Sequence, residues 1–256
     1  MKIRLYTPAM QGKGMFDGGK ITEQKPIGFS GEGSVINRVG PLFYWAWAHT
    51  PQEGYVPLHP HYSFEIMTYV LSGLAEHGDS LGTRSTVGAG GAQVIKAGSG
   101  VSHEERFVGP DMEAFQIWFE PDLKLEAKKE PAYEQYEHEE FPIHTQDGVR
   151  VKQVLGEGSP IRLTAEASMW DIELMPHQEH SLTLNPGKTI AALAVSGGGF
   201  WQGDDGRREA FHARDFMLLN TEHGEKLTLH ADQEPLRMVV IEVPERVNYG
   251  LIPKKY

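Results

Sequence analysis

His59-Pro60-His61-Tyr62-Ser63-Phe64-Glu65-Ile66-Met67-Thr68-Tyr69-Val70-Leu71-Ser72-Gly73 carries the strongest fold signal in the chain. Apolar, aromatic and β-branched side chains fill the run from Phe64 to Leu71 and a glycine closes it, which is strand chemistry rather than helix chemistry. Residues two apart on a strand point to the same side. Counting by twos from His59 puts His61, Ser63, Glu65, Met67 and Tyr69 on one face, and Pro60, Tyr62, Phe64, Ile66, Thr68 and Val70 on the other. The first face is the more polar. A central strand turns such a face inward only where the interior holds water, a metal or a ligand.

Outward from this stretch the same texture repeats. Short runs rich in β-branched and aromatic residues occur at Gln93 to Lys96, Phe115 to Phe119, Thr189 to Val195, Phe216 to Leu219 and Leu236 to Val243. Turn signals such as Gly78-Asp79-Ser80-Leu81-Gly82 and Gly203-Asp204-Asp205-Gly206 lie between them, and long 3.6-residue periodicities are missing. This pattern predicts an all-β sandwich or barrel. Phe43-Tyr44-Trp45-Ala46-Trp47 reads as a core strand, with one ring available to wall a pocket. From about Asp122 to Pro142 the chain changes to Lys and Glu with few aliphatic residues, a charged connector with at most one helical turn. The expected organisation is therefore a first β domain at 1–122, a connector at 123–146 and a second β domain at 147–256.

The candidate site comes from two spacings. His103-Glu104-Glu105 follows His59 by 44 residues, and in each segment ligands stand at i and i+2 on one strand face. His59, His61, His103 and Glu105 thus offer three imidazoles and a carboxylate, a set suited to a divalent transition metal with positions left open for substrate or dioxygen. Glu104 alternates to the opposite side. Glu105 is the candidate base. Glu65, on the histidine face, is a second catalytic candidate that either accepts a proton or fixes an imidazole. His177-Gln178-Glu179-His180 suits a helix or turn better than a strand, and His77, His138, His144, His212, His223 and His230 lack a partner at ligand spacing. Gly197-Gly198-Gly199 has neither the strand–helix setting nor the Lys-Ser/Thr of a phosphate loop.

Composition narrows the function classes. The chain has 256 residues, a formal charge of −11 and no cysteine, so disulfides and thiolate metal sites are excluded. The acidic balance and the lack of any Lys/Arg run argue against direct nucleic-acid binding. No apolar stretch approaches the roughly 20 residues of a spanning helix. No apolar signal core follows Met1, so a cytoplasmic protein without membrane attachment is expected.

Several spaced motifs resemble the pirin family: His59-Pro60-His61 to Glu65, then Thr68 to Gly73, then Glu76-His77-x-Asp79-Ser80-x-Gly82. The likeness continues through Gln93-x-x-x-Ala97-Gly98-x-Gly100-x-x-His103-x-Glu105, Gln116-Ile117-Trp118, Glu130-Pro131-x-Tyr133, Asp147 to Val151 and Gly156-x-Gly158-Ser159-Pro160. It implies a bicupin, with two antiparallel, jelly-roll-like β-barrel domains packed together and a metal held in the first by the residues matching His59, His61, His103 and Glu105. It further implies iron, with Mn, Ni, Co, Cu and Zn as alternatives, and a second domain without metal. The implied activity is a quercetin 2,3-dioxygenase type of ring opening on a small aromatic or enolic substrate. The alternative is a regulatory module that binds a protein partner according to its metal or redox state. Tyr62-Ser63 and Gly91 depart from the family pattern.

Overall fold

The computed structural model describes residues 2–254, and its regular structure is almost entirely strand. Along the first half run β1 (Lys2–Tyr6), β2 (Gly12–Phe16), β3 (Ile21–Ile27), β4 (Leu42–Thr50) and β5 (Glu53–His61). They are followed by β6 (Glu65–Asp79), β7 (Arg84–Gly88), β8 (Ala92–Lys96), β9 (Val101–Phe119), a single turn of helix, α1 (Leu123–Glu126), and β10 (Ala132–Tyr136). The second half contributes β11 (Ile143–Gln146), β12 (Val149–Leu155), β13 (Ser168–Leu174), β14 (Glu179–Leu184) and β15 (Lys188–Ser196). It ends with β16 (Gly199–Gln202), β17 (Arg208–Phe211), β18 (Phe216–Asn220), β19 (Glu225–Ala231) and β20 (Leu236–Pro244). The expected all-β class is observed, in a two-unit, cupin-like form.

One unit comprises residues 10–140 and 163–165 with the chain from Asn248 onward; the other comprises residues up to Ala9, 141–162 and 166–247. In the first, β10-β8-β6-β9-β4-β3-β2 form an antiparallel sheet, with β5 added to β9 and β7 to β6. The second has a seven-stranded sheet, β1-β18-β15-β20-β13-β12-β11, and a four-stranded one, β14-β19-β16-β17. Each pairing path runs from one edge strand to another, so among the described residues no sheet closes on itself into a barrel by hydrogen bonding.

These units cut the chain differently from its linear composition. β1 lies at the N-terminus but pairs with β18, because its alternating Ile3 and Leu5 complete the apolar face of the second unit. The charged 123–146 stretch is not a free connector. α1 is capped by Asp122, whose carboxylate accepts from Lys124 N at 3.0 Å; β10 then pairs with β8, while β11 pairs with β12 of the other unit. Backbone pairing along sheet edges needs no apolar run, which is why composition concealed these strands.

In the first unit, β6 and β9 are long strands that bend together. The front of β6 pairs with Glu113–Phe119 of β4's neighbour β9 through Glu65–Ser72, and its rear half, Leu74–Asp79, pairs with His103–Val108. Gly73 makes the bend at φ +74°, where a Cβ would meet Val108 O and Met112 Cβ at 2.7 Å, so glycine is required. Gly91 has an equally local reason: a side chain there would press on Val87 and on Tyr136 O, 2.9 Å away. The described residues include no helix long and apolar enough to cross a membrane.

Candidate metal centre

Three histidines converge. β5 and β9 are antiparallel neighbours in which His59 and His103 are register partners, and His61 follows two residues on from His59. A register shift between Val56 and His59 re-aims the end of β5. His59, His61 and His103 each place a ring nitrogen within 4.8 Å of the others. His61 is almost wholly buried and His103 completely so.

Their geometry fits a shared ion. The Nε2 atoms of His61 and His103 lie 3.0 Å apart. At the ~2.1 Å bond of imidazole to a divalent metal, ligands at right angles sit about 3.0 Å apart, whereas tetrahedral ligands sit about 3.4 Å apart. His59 Nδ1 donates to Pro57 O at 2.8 Å, which leaves the Nε2 lone pair free to ligate. Burial, reinforced by the neighbouring imidazoles, lowers the pKa of His61 and of His103 to about 3. Both are therefore neutral at ordinary pH, the form that binds metal. Trp118 stands edge-on to His61 with ring centroids 4.8 Å apart.

Glu105 is buried beside this group and lines the same cavity as His59 and His61. Its Oε2 accepts from Gln116 Nε2 at 2.8 Å, and its Oε1 from Thr68 Oγ1 at 3.1 Å and Gln93 Nε2 at 3.5 Å. Trp118 Nε1 in turn donates to Gln116 Oε1 at 3.3 Å. Two carboxylate oxygens offer about four lone-pair sites, so three donors orient Glu105 and leave capacity for another partner. Glu104 faces the other way, as alternation requires, and bonds Tyr55 and Arg84.

Glu65 bonds to backbone and not to an imidazole. Its two oxygens accept the backbone N–H groups of Thr164 at 2.6 Å and Ala165 at 2.9 Å, no imidazole is among its partners, and it does not line the cavity. The twofold count failed at Ser63, which has φ +62° and separates β5 from β6. Face parity holds only along continuous strand. Burial, the largest influence, raises the Glu65 pKa against the two amide donors that lower it. His77, passed over in the sequence, is buried at 2.8 Å from Asp79 Oδ2 and stacked on Tyr133.

The cavity has a volume of about 410 Å³. Tyr44, Phe107, Phe115 and Trp118 wall it, as expected for one ring of the aromatic strand β4. Sequence reasoning missed its remaining polar groups: Glu23 and Lys25 on β3, Glu32 in the following loop, and Gln116 on β9. The available signal was the alternation Ile21-x-Glu23-x-Lys25, which puts two charges on the face of a buried isoleucine.

In the other unit His177 has φ +65° in a turn, while Glu179 and His180 open strand β14. Glu179 pairs with His230 Nδ1 at 3.1 Å. Among the described residues no metal-type cluster besides His59, His61 and His103 forms.

Comparison with known proteins places this geometry in a lineage. The family model described as Pirin matches residues 45–119, the segment spanning all three histidines. A Pseudomonas aeruginosa protein named "Putative quercetin 2,3-dioxygenase PA1210" is 30% identical over 72% of this chain and 76% of its own length. A Solanum lycopersicum "Pirin-like protein" is 28% identical over 82% of this chain and 76% of its own. Several other curated relatives match over less than half their length. Among solved structures, the Escherichia coli bacterial pirin YhhW in complex with nickel(II) superposes with a TM-score of 0.74 at 22% identity, covering 95% of this chain and 99% of that one. The chain belongs to the pirin family.

Proposed function

We propose that this protein is a metal-dependent dioxygenase that opens flavonol-like or other enolic substrates, with iron held by His59, His61, His103 and Glu105. In this reading the two units correspond to the two jelly-roll barrels of a bicupin, and the second carries no metal. The observation that carries the proposal is the convergence of three imidazoles, two of them (His59 and His61) at the wall of a largely aromatic cavity of about 410 Å³. A structural metal site is closed by its ligands, whereas this one borders space of ligand size. The relatives named for quercetin 2,3-dioxygenase support the reaction type.

When bound, such an ion supplies Lewis acidity and redox exchange with dioxygen. The protein residues do the rest. Tyr44, Phe107, Phe115 and Trp118 take a flat aromatic body and exclude water from it. Glu105 accepts the enol proton, its carboxylate aimed by Gln116 and Thr68. The test is to measure bound metal and oxygen uptake with 3-hydroxyflavone for the wild type and His61→Ala. About one equivalent of metal, with uptake that the variant loses, is the expected result. Metal without uptake across a panel of enols would sink the dioxygenase and favour the partner-binding alternative.

A further inference from the structure

We propose that Glu23, Lys25 and Glu32, with Tyr44 beside them, form a second recognition group in the cavity that selects substrates carrying a hydroxyl group in addition to the metal-facing oxygens. The inference rests on the enolic-substrate reading and adds to it a second group demanded of the ligand.

The recognition group is built from buried charge. Lys25 Nζ lies 2.5 Å from Glu32 Oε1 and 3.1 Å from Glu23 Oε2, with the Lys25 side chain 3% exposed and that of Glu23 7% exposed. All three residues line the cavity that His59, His61 and Glu105 line. Lys25 Nζ stands 5.6 Å from the centre of the Tyr44 ring. Burial, then the charge of Glu23, pushes the Tyr44 phenol well above its usual range, so it stays protonated. On the neighbouring strand Gly14 leaves the room: a Cβ there would come within 2.4 Å of Glu23 Oε2 and 2.8 Å of Lys25 Nζ.

A buried ion cluster stabilises a fold no better than well-packed apolar residues, and strand pairing does not call for one here. Its hydrogen bonding is also incomplete. Glu23 Oε2 is buried with Lys25 Nζ 3.1 Å away and the Tyr44 phenol interacting with the same carboxylate, yet no well-directed hydrogen bond satisfies it. The Lys25 ammonium has three protons and two carboxylate neighbours. A hydroxyl matches both vacancies, since it can donate to Glu23 and accept from Lys25. An ether supplies only an acceptor. A carboxylate supplies only acceptors and meets two negative groups against one positive. Aromatic side chains wall the same cavity, so the preferred ligand is a flat ring system carrying a phenol as well as its enolic oxygen.

The experiment is anaerobic equilibrium titration of the metal-loaded protein, following tryptophan fluorescence. The probes are 3-hydroxyflavone, its 4′-hydroxy derivative and its 4′-carboxy derivative. The wild type is expected to bind the hydroxy compound about tenfold tighter than the parent, as one charge-assisted hydrogen bond allows. It is expected to bind the carboxy compound about tenfold more weakly than the parent. In Glu23→Gln the hydroxyl preference shrinks to about threefold or less. In the isosteric double variant Glu23→Gln/Glu32→Gln the lone ammonium reverses the charge rule, and the carboxy compound becomes the tightest. Metal content measured alongside stays at the wild-type level. Equal affinities for all three probes in the wild type, or an unchanged ranking in the double variant, would overturn the proposal while leaving the enolic reading standing. Failure of any probe to bind the metal-loaded wild type would remove both together.

Discussion

Both units bury an apolar core, but the first adds to it a group of imidazoles and a carboxylate around a cavity. In the second, successive inward positions are Ile190, Ala192 and Ala194 on β15, Met217 and Leu219 on β18, and Met238 and Val240 on β20, all packed around Trp201 and Phe211. In the first, comparable buried positions hold Thr68 on β6, His103 and Glu105 on β9, and His61 on β5, with Gln116 half-buried beside them. Burying unpaired polar groups is costly. The first unit tolerates them by bonding them to one another and by keeping a cavity, so its polar interior is evidence of function where the apolar one is evidence of stability.

The sharpest way to break this contrast is to remove one imidazole from each unit. His61→Ala deletes one of three converging ligands, and bound metal is expected to fall from about one equivalent to below a tenth, with affinity down at least ~100-fold. His180→Ala, in the second unit, is expected to leave the metal content unchanged. Elemental analysis after dialysis against a chelator reads both. Equal loss in the two variants would mean that the histidine cluster is not the site.

Packing supplies the converse test. Trp201 is fully buried in the apolar cluster, so Trp201→Ala should cost about 3–5 kcal/mol. Phe107 has the cavity on one side, and Phe107→Ala forfeits contacts on the other side only, at about 2 kcal/mol. Chemical denaturation with the metal chelated compares them. A Phe107→Ala cost equal to that of Trp201→Ala would show that the cavity wall is packed as tightly as the other core.

The histidine cluster was legible because strand period is rigid. His59 and His61 lie on one unbroken strand, His103 and Glu105 on another, and both pairs needed only alternation to be found. Glu65 failed because one residue with positive φ, Ser63, resets the count, and Ser carries no sign of that conformation. Glu23, Lys25 and Glu32 stayed hidden because Glu and Lys are the ordinary residues of a solvated strand. Their burial follows from Gly14 on the adjacent strand and from the cavity itself, which are tertiary facts. β1 escaped its linear domain for the same reason, since its partner β18 lies more than two hundred residues away in sequence.

Acid tests the polar interior by another route. Burial lowers His61 and His103 to about 3, below the 6.5 of a free imidazole. Above pH 6.5 both the folded and the unfolded chain hold these rings neutral, and they contribute nothing to pH dependence. As pH falls below 6.5 the unfolded chain takes up protons first, so metal-free stability declines until the folded rings titrate near pH 3. By pH 5 the loss amounts to about 2 kcal/mol for each imidazole. Denaturation of the metal-free wild type at pH 7 and pH 5 should therefore show a larger drop than His61→Ala shows. Matching drops would mean that the His61 ring is solvated.

Glu65→Gln gives the smallest effect and the clearest reading of the misplaced parity. The carboxylate holds the backbone N–H groups of Thr164 and Ala165 with its two oxygens. Glutamine keeps one acceptor and turns an NH₂ toward the other amide, so one buried N–H loses its partner. Against that stands the relief of burying a neutral group in place of a carboxylate whose pKa burial already raises. The two effects leave a net loss of about 1 kcal/mol. Metal content and oxygen uptake should stay at wild-type levels, because Glu65 touches the 163–165 segment and not the histidines. A variant that folds with unchanged stability but loses activity would return Glu65 to the catalytic centre and restore the alternation count across Ser63.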